Sequence, residues 1–254
     1  MNANLIIRVS NLFKNYGTFA AVRGISFDVY EGEIFGLLGP NGAGKSTTLE
    51  IMETLRPKTS GEVIIDGLDL DRQPQEIKKV IGVQLQASGY YPGLNLVQLV
   101  ELFSGLYNRR TDPVQLLEMV NLKDKARAQY KHLSGGQKQR FSVATTLINE
   151  PRLIFLDEPT TGLDPQARRS LWELIRKIRE RGTTVIITTH YMDEAEYLCD
   201  RVAIIDSGKI VAMDTPDHLI DNLVETGFER AKQVKKANLE DVFIHLTGKA
   251  LRDD

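Results

Sequence analysis

A single cysteine, Cys199, stands in 254 residues, so no disulfide can form within the chain. Such sparing use of thiols fits a reducing compartment. Long apolar runs are missing too. No stretch approaches the roughly 18 uninterrupted apolar residues that cross a bilayer as one helix, and Met1 to Arg8 lacks the basic head and long apolar segment of a secretory signal. Any membrane role is therefore expected to come through a partner. Charge of one sign is not in excess: 32 Lys and Arg face 34 Asp and Glu, a formal net charge of −2. That balance leaves no broad basic field, and no nucleic-acid partner is expected. Internal repeats, low-complexity tracts and sustained heptads are absent, as are a His/Cys ligand cluster for zinc and a nucleophile triad.

Short apolar runs alternate with amphipathic stretches, the pattern of a sheet covered by helices. Buried strands are predicted at residues 34–38, 153–156, 184–188 and 202–205. Leu171, Leu174, Ile175 and Ile178 recur at helical spacing, with Gly182 as the stop. The six basic residues along that helix, from Arg168 to Arg181, read as a solvated face. Residues of about 5–33 and 61–83 read as an antiparallel layer with turns such as Asp66-Gly67. Residues of about 94–150 are helical in pattern, with Asp112-Pro113 as a helix start. Beyond about Val211 the chain turns more polar, and a short helical extension is expected over 216–254 after a main domain spanning 1–215.

The most specific local motif of the first half is Gly39-Pro40-Asn41-Gly42-Ala43-Gly44-Lys45-Ser46, followed by Thr47. It fits G-x-x-x-x-G-K-[ST] between a buried strand and a helix start. The glycines let the backbone curl so that its N–H groups face phosphate oxygens, and the helix N-terminus adds further donors. Lys45 is expected on the β- and γ-phosphates and the Ser46 hydroxyl on Mg²⁺. Alone, the loop says only nucleoside triphosphate: a small-molecule kinase, a GTPase and a helicase stay open. Asp157 and Glu158 close the strand 153–156. Strand ends in such folds flank the phosphate loop, which suits Asp157 to Mg²⁺ and Glu158 to polarising the attacking water.

Leu133-Ser134-Gly135-Gly136-Gln137 resembles the signature sequence of ATP-binding-cassette (ABC) proteins. Physically it opens a helix whose amides can face an anion. The resemblance implies an α/β P-loop NTPase (RecA-like) fold: a mostly parallel sheet core, an antiparallel β layer and a helical subdomain. It implies two such domains paired head to tail, each signature covering the γ-phosphate held by the other's loop, with ATP and Mg²⁺ as ligands. Other positions match in order: Tyr16 for stacking on adenine, Gln86 for Mg²⁺ and the attacking water, Asp164 for the loop across the dimer, and His190 for the switch histidine. Gln84 is the alternative to Gln86; the apolar lead-in from Val80 to Val83 favours Gln86.

A narrower likeness, in Thr189 to Glu196 and in the tail Leu239 to Gly248, is to the subfamily serving drug, polysaccharide and nodulation-factor exporters. It implies an ABC-2-type permease partner and a place on the cytoplasmic face of the membrane, with homodimer and heterodimer both open. The segment from Val211 to Leu239 is shorter than in many relatives. Tyr90, Tyr91, Pro92 and Leu94 are offered equally as permease anchors and as residues seating the helical region on the core. The rival reading is a soluble ABC ATPase acting on nucleic acid or a protein assembly. Such proteins usually carry two cassettes or coiled-coil arms, and this chain has neither.

Overall fold

The computed structural model describes residues 4–84 and 89–228. In chain order these form β1 (Leu5–Tyr16), β2 (Phe19–Tyr30), β3 (Ile34–Leu38), α1 (Lys45–Met52), β4 (Ser60–Ile65) and β5 (Leu68–Asp69). Next come α2 (Pro74–Val80), β6 (Ile81–Gln84), α3 (Leu96–Leu106), α4 (Pro113–Met119) and α5 (Gly135–Thr146). The remainder is β7 (Leu153–Asp157), α6 (Pro165–Glu180), β8 (Thr184–Thr189), α7 (Met192–Leu198), β9 (Arg201–Asp206), β10 (Lys209–Asp214) and α8 (Pro216–Glu225).

Two sheets result. An antiparallel sheet runs in the order β2-β1-β4-β5, and a six-stranded sheet runs β10-β9-β3-β8-β7-β6, parallel except for β10. All residues of β3 and β8 are buried, as expected of parallel strands covered on both faces. Alternation along the strands divides the core. Phe35, Leu37 and Phe155 join α1 and the antiparallel layer on one side. Ile34, Leu38, Ile154 and Leu156 join α5, α6 and α7 on the other. On α6 the buried face is Leu171, Trp172, Leu174, Ile175 and Ile178, with Asp164 capping the helix by accepting from the Ala167 N–H at 2.8 Å. Asp112 caps α4 in the same way. No helix among the described residues is long and apolar enough to cross a membrane.

One boundary differs from the sequence expectation. The antiparallel layer ends at Asp69: residues 74–80 form α2, and β6 pairs in parallel with β7 as the edge of the central sheet. Ile77 is the fully buried residue of α2, and Gly82 of β6 lets the Thr146 carbonyl of α5 approach to where a Cβ would stand 2.1 Å away. Residues 209–214 form β10, a hairpin return on β9 through the Ser207-Gly208 turn, and α8 follows from Pro216. The chain divides into two compact units, 1–219 and 220–254. In the second, Ile220, Leu223 and Val224 are exposed on the end of α8, and the tail Leu239 to Gly248 lies outside the described residues.

One core acid carries a testable cost. Glu53, at the end of α1, is 5 % exposed, and its Oε1 has no hydrogen-bond partner. Burial, with Asp157 and Glu50 nearby, pushes its pKa up to about 8 from a usual 4.5. The unfolded chain loses this proton near pH 4.5 and the folded chain keeps it to about 8, so stability falls as pH rises between those values. Glu53→Gln cannot ionise. Its gain over the native chain should grow from almost nothing near pH 4.5 to on the order of 3–5 kcal/mol by pH 8.5. Thermal denaturation at both ends of that range checks this; a difference that does not vary with pH would refute it.

Candidate active site

Strand order brings the ends of β3, β8 and β7 side by side, and the site is assembled from the residues just beyond each of these strands. After β3 the chain turns at Gly39, where a Cβ would stand 2.1 Å from the Ile205 carbonyl oxygen; no side chain fits there. Gly44 adopts φ 103°, a left-handed backbone that favours glycine, and starts α1. Lys45 is 4 % exposed, and its Nζ donates to the Gly39 carbonyl at 2.8 Å and the Pro40 carbonyl at 3.1 Å. The loop opens on a cleft of about 430 Å³, lined by Tyr16, Phe19 and Ala21 together with Lys45, Ser46, Thr47 and Glu158. The Tyr16 ring is half exposed and flanked by Lys14 and Arg56, 5.0 and 5.6 Å from its centroid. A groove of about 500 Å³ between α6 and α7 is slightly larger, but it holds no phosphate-type loop, and chemistry rather than volume decides between them.

The acids of β7 face that loop. The Ser46 hydroxyl donates to Asp157 Oδ1 at 3.1 Å, and the Thr188 hydroxyl at the end of β8 donates to the same oxygen. Thr188 also accepts from the Glu158 N–H at 3.0 Å. Glu158 has φ 45°, a left-handed backbone rare outside glycine that stores on the order of 1–3 kcal/mol. Its Oε1 lies 3.5 Å from Lys45 Nζ and 3.2 Å from His190 Nδ1, while Thr161 Oγ1 donates to Oε2 at 3.2 Å. The His190 contact is within ion-pair reach, although Nδ1 is not aligned for a hydrogen bond. Burial pushes the Glu158 carboxyl up, but His190, Lys45 and Thr161 together outweigh it and hold the group below the usual carboxylate range. It is therefore ionised at neutral pH and able to take a proton.

Ser46 Oγ and Asp157 Oδ1 are hard oxygen donors side by side, a pair that suits Mg²⁺ completed by phosphate oxygens and water. Gln86 lies outside the described residues. Gln84 ends β6, 5 % exposed, with an Oε1 that finds no hydrogen-bond partner.

The signature residues stand elsewhere. Ser134 caps α5 in a capping box: its Oγ accepts from the Gln137 N–H at 3.3 Å, and Gln137 Oε1 accepts from the Ser134 N–H at 3.0 Å. Gly135 and Gly136 lie against Leu163 and Ala167, at the start of α6, and none of Ser134 to Gln137 lines the cleft. Asp164 is likewise off the cleft, as the cap of α6. Tyr90 and Leu94 pack into the core beside α5, with Tyr90 against Phe103, Tyr130 and Phe141, whereas Tyr91 is exposed.

A sequence profile of the ABC transporter family matches residues 22–161, which carry the phosphate loop, the signature and both acids. The linearmycin resistance ATP-binding protein LnrL of Bacillus subtilis is 36 % identical over 244 residues, covering 94 % of this chain and 78 % of that protein. The chain belongs to the ABC transporter family. The Nod factor export ATP-binding protein I of Rhizobium etli is 41 % identical over 223 residues, covering 86 % of this chain and 71 % of its own. Among solved structures, the ATP-binding cassette MJ0796, a dimer in a post-hydrolysis state bound to ADP and Pi, superposes with a TM-score of 0.74. It is 29 % identical and covers 83 % of this chain and 99 % of its own. The chain is thus an ATP-binding and ATP-hydrolysing subunit of an ABC transporter, and the soluble non-transport reading falls away.

Two parts of this ABC site were not read from the sequence. Thr188 and Thr161 hold Asp157 and Glu158 in place, yet a threonine in a buried strand or a turn carries no local mark of that task. For Thr188 the adjacency of β7 and β8, a property of the sheet, reveals it, and for Thr161 the turn that follows Glu158 does.

Proposed function

We propose that two copies of this subunit bind two ATP·Mg²⁺ between them, head to tail, and power a separately encoded ABC-2-type permease working in export. The carrying observation is the place of Ser134 to Gln137. Their amides open a helix away from the cleft that holds Lys45, so within one chain the γ-phosphate lacks that wall. A second copy supplies it, together with its Asp164. In this reading Tyr16 stacks on adenine, and the amides of Gly39 to Thr47 cradle the phosphates. Lys45 neutralises the β- and γ-phosphates, Glu158 accepts the proton of the attacking water, and His190 steadies Glu158 beside the γ-phosphate. Ser46 and Asp157, with Gln86, would hold Mg²⁺, which when bound offsets the charge developing on the transferred phosphoryl group.

Export is supported by the names of relatives, one conferring linearmycin resistance and one exporting Nod factor. Residues 1–215 carry the nucleotide chemistry in this reading, 216–254 form the extension, and the protein works on the cytoplasmic face of the membrane, held there by its permease. Affinity purification of the tagged chain from mildly solubilised membranes tests the partner. Recovery of a polytopic membrane protein is expected. Recovery of cytosolic partners alone, with the chain absent from membranes, would overturn the reading.

A further inference from the structure

Glu194 lines no part of the nucleotide cleft, yet it is the most enclosed acid among the described residues, with no exposed surface. Its Oε1 accepts two hydrogen bonds, from Thr160 Oγ1 at 2.7 Å and from Trp172 Nε1 at 2.9 Å. Its Oε2 is buried without a hydrogen-bond partner. A carboxyl answered only by two neutral donors is a costly way to fill a core. The segments it joins give that cost a reason. Thr160 stands two residues beyond Glu158, in the turn where Thr161 donates to the Glu158 carboxylate. Trp172 lies on α6, whose cap is Asp164. Glu194 itself is in the first turn of α7, whose start is tied to the His190 segment by the Tyr191 N–H on Thr189 Oγ1 and the Ala195 N–H on the Tyr191 carbonyl. One oxygen therefore links the three segments that carry Glu158, Asp164 and His190.

We propose that Glu194 is a positioning residue for ATP hydrolysis, its Oε1 fixing the Glu158 turn and the His190 segment in one frame against Trp172. The proposal rests on the reading of Glu158 and His190 given above. Glu194 touches no nucleotide, so its loss acts on turnover and not on binding. A misplacement of this kind lowers rates by about 10–100-fold.

The test is Glu194→Ala in the full chain, made in the native and the His190→Ala backgrounds, read by steady-state hydrolysis and by equilibrium binding of a fluorescent ATP analogue. In the native background kcat is expected to fall about 10–100-fold while KM for ATP stays within about twofold. In the His190→Ala background the same change should cost clearly less, because one of the two groups it positions is gone while the Glu158 turn remains. Glu194→Gln keeps the accepting oxygen and should restore most of the rate. Equal losses in both backgrounds, a loss that falls on nucleotide binding, or a Gln variant as poor as the Ala variant would each overturn the proposal. Should Glu194→Ala fail to fold, Thr160→Val breaks the same tie from the other end and is read by the same criteria. A His190→Ala chain with an undiminished rate would instead sink the site reading, and this proposal with it.

Discussion

A Glu158→Gln chain is expected to bind ATP as tightly as the native chain while hydrolysing it 10²–10⁴-fold more slowly, roughly the share a positioned general base supplies. Glutamine matches glutamate in shape, so Thr161 can still donate to the side chain and the backbone at φ 45° need not move. The loss is confined to the basic oxygen that His190 and Lys45 hold ionised. The phosphate loop is untouched, so affinity survives. With ATP no longer consumed, the two-copy assembly proposed above should persist, and size-exclusion chromatography in ATP·Mg²⁺ should show the variant as a dimer and the native chain mostly as a monomer. A variant with unchanged turnover would remove Glu158 from the role of base. A variant that is slow yet monomeric in ATP would keep the base and refute the sandwich.

The parts of this site legible in the sequence are those where local chemistry and local structure coincide. The loop from Gly39 to Thr47 needs its glycines for backbone reasons and its Lys45 for charge, and both needs are met within nine consecutive residues. Asp157 and Glu158 come after a run of apolar residues whose burial is plain from composition. Illegible parts depend on which strand lies beside which. β6 looks like a member of the antiparallel layer until its pairing with β7 is known, since a four-residue apolar run has no direction of its own. Tyr90 reads equally as a permease anchor and as a residue seating the helical region until Phe103, Tyr130 and Phe141 are seen around it. Glu194 reads as one more acid in an acidic helix start, and only the meeting of three segments makes it distinct. The position of Ser134 relative to Lys45 belongs to the same class: nothing local to either residue says that they stand apart, the observation behind the two-copy reading proposed above.

Lys45 allows the sharpest test of the cleft's electrostatics. Its ammonium is nearly inaccessible to solvent and is already surrounded by acceptors: the Gly39 and Pro40 carbonyls and, at 3.5 Å, the Glu158 carboxylate. Lys45→Ala leaves those acceptors without their cation, and it leaves a triphosphate facing the Glu158 charge. Truncating one member of a buried charge pair costs roughly 2–5 kcal/mol, so ATP affinity should fall by about 30-fold to several thousandfold. Part of that loss comes from the missing attraction and part from exposed repulsion, and the two can be separated. In Lys45→Ala/Glu158→Gln the repelling carboxylate is gone, so the double variant should bind ATP more tightly than Lys45→Ala alone, by about 3–10-fold at the screening of a half-open site. Titration with a fluorescent ATP analogue at two salt concentrations measures both terms, and the recovered part should shrink at the higher salt. Equal affinities for the single and double variants would mean that Glu158 and the phosphates do not sense one another. That result would be incompatible with a Glu158 poised beside the γ-phosphate, because a carboxylate close enough to take the water's proton is close enough to repel the triphosphate once Lys45 is removed.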